Sequence, residues 1–240
     1  MKIIKLNSNP KGFGDMTDNL EERMIKSAIP KQQTHSYYEN AALGLYLGLW
    51  ESTDENTDMI APAPYAYDEF LVIIEGVVEI KNSQIGNVET ATSDDSIIIP
   101  QGYDCQWHQK GYVRKLQLIY QPPEEIKPNH PVCEHVIYID EKNALPWQAT
   151  SDGFHKKVLY QSYNHKFTSG VWQADSFSTD MIAFPYNEFI ILKQGSLICT
   201  DENGVEHKID TGEALFVPQG THCSWQAQEK ISLHFVQIKQ

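Results

Sequence analysis

Long apolar runs are missing from this 240-residue chain. No stretch approaches the roughly 20 residues that a membrane-spanning helix needs. The segment Met1-Lys2-Ile3-Ile4-Lys5-Leu6 is followed at once by polar residues and lacks the apolar core of a signal peptide, so a cytoplasmic location is expected. Positive charge is scarce: 19 Lys and Arg stand against 32 Asp and Glu, a formal net charge of -13. Nucleic acid and anionic membrane both want clustered Lys and Arg, so neither is expected as a partner. The four cysteines, Cys105, Cys133, Cys199 and Cys223, include no Cys-x-x-Cys pair. A structural zinc site of the usual spacing is therefore absent, and without an export signal the thiols are expected to be reduced. There is no phosphate-cradling glycine loop, Gly-x-Ser-x-Gly elbow or His-Glu-x-x-His helix. Helix signals are few. Asp18 with Glu21 reads as a capping box opening a short helix that stops before Pro30, and a turn is expected near Asp140 to Leu145.

What the chain does contain, it contains twice. Thr57-Asp58-Met59-Ile60-Ala61 recurs as Thr179-Asp180-Met181-Ile182-Ala183. Gly48-Leu49-Trp50 matches Gly170-Val171-Trp172, and Tyr67-Asp68-Glu69-Phe70 matches Tyr186-Asn187-Glu188-Phe189. Pro100-Gln101-Gly102 with Cys105 and Trp107 matches Pro218-Gln219-Gly220 with Cys223 and Trp225. The offset drifts from 122 to 119 to 118 residues, as small loop changes between two copies would make it. That period is far too long for a solenoid, so the chain reads as two duplicated domains.

Within each copy the patterning is of strands. Leu43, Leu45, Leu47 and Leu49 alternate with Gly44, Tyr46, Gly48 and Trp50, a half-buried strand. Phe70 to Ile80 and Phe189 to Cys199 are β-rich and broken at Glu75-Gly76 and Gln194-Gly195. Ile97-Ile98-Ile99 and Ala214-Leu215-Phe216-Val217 each end at a proline that cannot donate to a ladder. The proline-rich stretch from Gln121 to Pro131 reads as a linker. The domains are accordingly drawn as 1–125, with its barrel over about 43–121, and 126–240, with its barrel over about 168–240. Many short strands between Gly/Pro turns point to a sandwich or small barrel.

These residues resemble the cupin superfamily. Its first motif sets a glutamate seven residues before a glycine, matched by Glu69 to Gly76 and Glu188 to Gly195. Its second, Gly-x5-Pro-x-Gly-x2-His, is matched by Gly212, Pro218 and Gly220, with Cys223 in the histidine position. In the first copy Asp94 replaces the glycine and Cys105 the histidine. The tryptophans and the Asp/Asn-Glu-Phe triplet look most like the subgroup holding ureidoglycine aminohydrolase and the ethanolamine-utilisation cupins. The resemblance implies an all-β fold of two tandem cupin barrels, each a double-stranded β-helix or jelly roll. By analogy it also implies a homodimer.

Metal centres of that family use a His-x-His pair, the glutamate and the second-motif histidine, a set suited to Mn, Fe, Ni or Zn. Here Pro62 to Tyr67 and Ala183 to Tyr186 hold no histidine, leaving one carboxylate and one thiol per barrel. No metal-ligand set and no cofactor are expected. Glu188, Cys223 and His234 are the candidate catalytic residues, His234 because the last strand can cross near the thiol. Cys105 and Cys223 read equally as small apolar packing groups. Tyr186, Trp225, Glu69, Tyr67, Cys105 and Trp107 are candidates for binding a small polar metabolite, with tyrosine and tryptophan lining the barrel mouth and Trp50 and Trp172 in ordinary core. Two other readings stay open: a metal-dependent aminohydrolase-like enzyme on a small nitrogenous substrate, and a non-catalytic structural or regulatory protein.

Overall fold

A computed structural model describes residues 2–11, 13–15, 31–52, 57–60, 64–122, 133–150 and 153–239. The Asp18–Glu21 capping box and most of the proline-rich linker lie outside the described residues. Apart from a single 3-10 turn at Ala41–Leu43, the described elements are strands, and the pairings between them are antiparallel. No helix among the described residues is long and apolar enough to cross a membrane.

The chain forms two compact units, Ser8–Tyr138 and Ile139–Gln240 joined by Met1–Asn7. The division drawn from sequence fell at 125/126. Two short strands account for the difference. Ile137–Tyr138 pairs with Ile97 and Ile98, and Ile4–Leu6 pairs with Ala214 to Phe216. Each therefore covers the edge of the strand that ends at Pro100 or Pro218, where unpaired backbone would otherwise remain.

In the first unit a seven-stranded sheet runs Ile137–Tyr138, Ser96–Ile99, Asp68–Glu75, Val113–Tyr120, Leu45–Ser52, Gln32–Asn40, Gly14–Asp15. It faces a four-stranded sheet of Thr57–Ile60, Cys105–Gln109, Val77–Asn82 and Val88–Thr92. The second unit repeats the plan. Asn187–Gln194, Ile231–Ile238, Phe167–Ala174 and His155–Gln161 form the centre of its large sheet, and His222–Ala227, Ser196–Asp201 and Glu206–Asp210 lie in the smaller one.

Period two decides what faces inward. Leu71, Ile73 and Val113 enter the first core; Ile190, Leu192, Leu233 and Phe235 enter the second. The strand holding Leu45, Leu47 and Leu49 is buried on both faces, since Trp50 is also buried, and Leu43 belongs to the 3-10 turn. The breaks at Gly76 and Gly195 are sharp reversals with φ of +94° and +86°. A Cβ there would meet Tyr112 O at 2.2 Å or Lys230 O at 2.7 Å, so both positions require glycine. Asp94 takes φ +73° where the second copy has Gly212 at +88°, so the turn geometry survives the substitution. Around Asp140 the chain makes the expected turn, with Asn143 N–H donating to Asp140 O.

Candidate functional site

Both glutamates of the first motif open a strand, and both point inward and are buried. Removing a carboxylate from water is costly unless it is paired, hydrogen-bonded or protonated. The two units meet this demand differently.

In the first unit, Lys115 Nζ donates to Glu69 Oε1 at 2.9 Å, and both side chains are almost fully buried. Tyr65 Oη donates to the other oxygen, and burial beside that carboxylate pushes the Tyr65 hydroxyl well above its ordinary pKa. The ammonium lies 4.9 Å from the Trp50 ring centre and 4.7 Å from that of Trp107, two indoles packed edge to face. Both indole N–H groups are spent, Trp50 on Gln32 and Trp107 on Gln109. Among the described residues, the acid, the ammonium and both indoles of this interior are thus partnered from within.

In the second unit Leu233 stands where Lys115 stands in the first, and Phe184 where Tyr65 does. Glu188 then receives one hydrogen bond among the described residues, from Gln237 Nε2 at 3.1 Å. Burial raises its pKa from 4.5 to about 7, although Gln237 and then Lys156 oppose the shift. Lys156 Nζ donates to Gln237 Oε1 at 2.8 Å and sits 4.2 Å from the Phe235 ring centre. Around this polar end is a cavity of about 380 Å³. Its walls include Phe154, Trp172, Phe177, Phe184, Tyr186 and Trp225. Phe154 packs on Trp172 at 4.7 Å and on Phe177 at 4.8 Å.

Of the residues singled out from sequence, the structure gathers Glu188, Tyr186 and Trp225 at this cavity. Cys223 and His234 are not brought together. On the strand Ile231–Ile238, Leu233, Phe235 and Gln237 line the cavity, so His234 points to the opposite face. There it is buried, and desolvation with Lys193 nearby lowers its pKa to about 3. Cys223 is fully buried in the core beside Cys199 and does not line the cavity. Cys105 is likewise core, its thiol pushed up to about 12 by burial. In the first unit Glu69 is held by Lys115 and Trp107 is packed inside rather than at a mouth, while Tyr67 lies edge-on to Tyr65 at 4.9 Å. Trp172, read as core, is a cavity wall.

Four residues that partner the two inward acids or line the cavity are not singled out by the sequence: Lys115, Tyr65, Lys156 and Gln237. Lys115 was legible in principle, because it shares the inward register of Val113 two residues earlier. The residues present do not fit the family's divalent centre. Among the described residues no three His, Cys, Asp or Glu side chains converge. Glu69 already holds an ammonium, and the groups beside Glu188 are an amide and a lysine, which repels a cation.

Comparison with known proteins agrees with this fold. Residues 162–235 match the model of the EutQ-like cupin domain. No curated protein matches the chain. A solved protein of unknown function from Pseudomonas syringae pv. tomato superposes with a TM-score of 0.74 at 17% identity, covering 98% of each chain. A cupin 2 conserved barrel domain protein from Leptotrichia buccalis gives 0.63 at 12% identity, covering 90% of this chain and 93% of that one. Salicylate 1,2-dioxygenase from Pseudoaminobacter salicylatoxidans gives 0.56 at 13%, covering 92% and 87%. The chain has the all-β cupin fold.

Proposed function

We propose that this protein is a bicupin in which the second barrel binds a small organic molecule without a metal, and the first barrel is its closed structural counterpart. The observation that carries this reading is the exchange of Lys115 and Tyr65 for Leu233 and Phe184. The first barrel satisfies its inward glutamate from within, whereas the second leaves the equivalent acid on the wall of an aromatic-lined cavity. The walls make the ligand amphipathic rather than wholly polar, with an apolar body and one polar end. A carboxyl whose pKa lies near neutrality is also suited to proton transfer, which supports an acid/base role for Glu188 if the bound molecule reacts. The likeness to ureidoglycine aminohydrolase gains no support from the donor set.

The double variant Leu233→Lys with Phe184→Tyr rebuilds the first barrel's plan inside the second. Toluene, a neutral probe of the cavity, is expected to shift the NMR signals of the Trp172 and Trp225 indoles in the wild type and not in the folded double variant. Equal shifts in both proteins, or none in the wild type, would refute the reading.

A further inference from the structure

We propose that the second barrel takes a small monocarboxylate with a flat apolar body, its carboxylate received by Lys156 beside Glu188. The inference rests on the ligand-binding reading of this cavity and names the ligand's chemical class.

Lys156 is the first ground. Its ammonium lines the cavity, and among the described residues its one hydrogen-bond acceptor is the Gln237 side chain, with no carboxylate at ion-pair distance. A part-buried cation with no carboxylate in ion-pair contact loses hydration that is not fully replaced. Burial accordingly draws its pKa below that of an ordinary lysine, against a partial pull upward from Glu188. The buried lysines among the described residues are provided for elsewhere: Lys115 has Glu69 at 2.9 Å, and Lys157 donates to Glu141 O and Asn143 O, each at 2.7 Å. Of the three, Lys156 alone lines the cavity, and its one described acceptor takes one of its three N–H donors.

Gln237 is the second ground. Its carbonyl accepts from Lys156 while its amide donates to Glu188, so the amide stands between the two charged groups and keeps both on the cavity wall. A guest carboxylate can accept from Lys156 with one oxygen, and from Glu188 in its protonated form with the other. Local charge agrees. Lys239, 5.7 Å from the ring centre of the cavity-wall Tyr186, adds a second ammonium that acts on Lys156, in a chain of net charge -13. Rings on several sides, Phe154, Trp172, Phe184 and Trp225 among them, fit a flat apolar body. The volume lies near the lower end of the roughly 300–1,000 Å³ of ligand pockets, which sets the guest at about one ring in size.

Titration calorimetry with benzoate, benzylamine and toluene tests this on the whole protein at pH 6.5. Benzoate is expected to bind the wild type, to lose at least about tenfold in affinity in Lys156→Met, and to be retained by Lys156→Arg. Toluene should bind wild type and Lys156→Met alike. Benzylamine binding more tightly than benzoate would overturn the proposal, as would benzoate affinity unmoved by Lys156→Met. If toluene binds and benzoate does not, the carboxylate class falls while the cavity reading stands. If none of the three binds, both fall.

Discussion

Leu233 and Lys115 hold the same place in two copies of one fold. Each is cross-strand neighbour to the entry tryptophan, Trp172 or Trp50, and to an inward aliphatic residue, Leu192 or Ile73. One copy puts an ammonium there, paired with its acid; the other puts an alkyl chain there, and its acid lines a cavity. Duplication thus supplies its own control, since the same acid in the same strand meets opposite surroundings.

Breaking the closed network has a large expected cost. Lys115→Met leaves Glu69 buried without its cation, and removing one partner of such a pair costs about 3–5 kcal/mol. Adding Glu69→Gln removes the stranded charge and should recover part of that loss. Urea midpoints followed by the fluorescence of the first unit's tryptophans check both values.

Glu188 makes stability depend on pH in a defined direction. Its folded pKa, about 7, lies above its ordinary 4.5, so the folded state prefers the protonated acid. The associated stability is fully present below about pH 4.5 and is lost as pH rises to about 7, on the order of 3 kcal/mol in total. Glu188→Gln should remove this slope, read as the difference between the two proteins' unfolding free energies from pH 4.5 to 7.5.

His234 slopes the other way. Its folded pKa of about 3 lies below the ordinary 6.5, so its stability is present above pH 6.5 and is lost as pH falls toward 3. Between pH 6.5 and 5 the expected loss is about 2 kcal/mol. Its Nδ1 is buried with no partner among the described residues, so His234→Leu should be near neutral or stabilising at pH 7 and should flatten the acid side. Because His234 faces away from the cavity, toluene binding should stay within about twofold; a greater loss would contradict the assigned face.

The cysteines should sort by burial. Cys105, Cys199 and Cys223 are buried, while Cys133 is partly exposed beside His135. Iodoacetamide under native conditions is expected to label Cys133 and leave the other three until denaturant is added. Native labelling of Cys223 would restore it as a nucleophile candidate.

Much of the plan was legible before any coordinates. Gly76 and Gly195 marked the breaks that the structure shows as sharp reversals, and the cupin resemblance singled out Glu69 and Glu188, which the structure turns inward. Two readings misplaced side chains for one reason. Cys223 and His234 lie on consecutive strands, and joining them assumes that both turn toward one interior; alternation along Ile231–Ile238 puts Leu233 and Phe235 there instead. Trp172 and Trp107 exchanged expected roles because wall and core differ by what lies opposite, which no local pattern records.

Sequence alone determined the repeated all-β strand pattern and its turn glycines, because period two and backbone sterics act over a few residues at a time. How each inward acid is satisfied was decided only in three dimensions. There, Lys115 reaches Glu69 across 46 positions of chain, and Lys156 meets Gln237 across 81, contacts that exist only when strands far apart in sequence lie side by side.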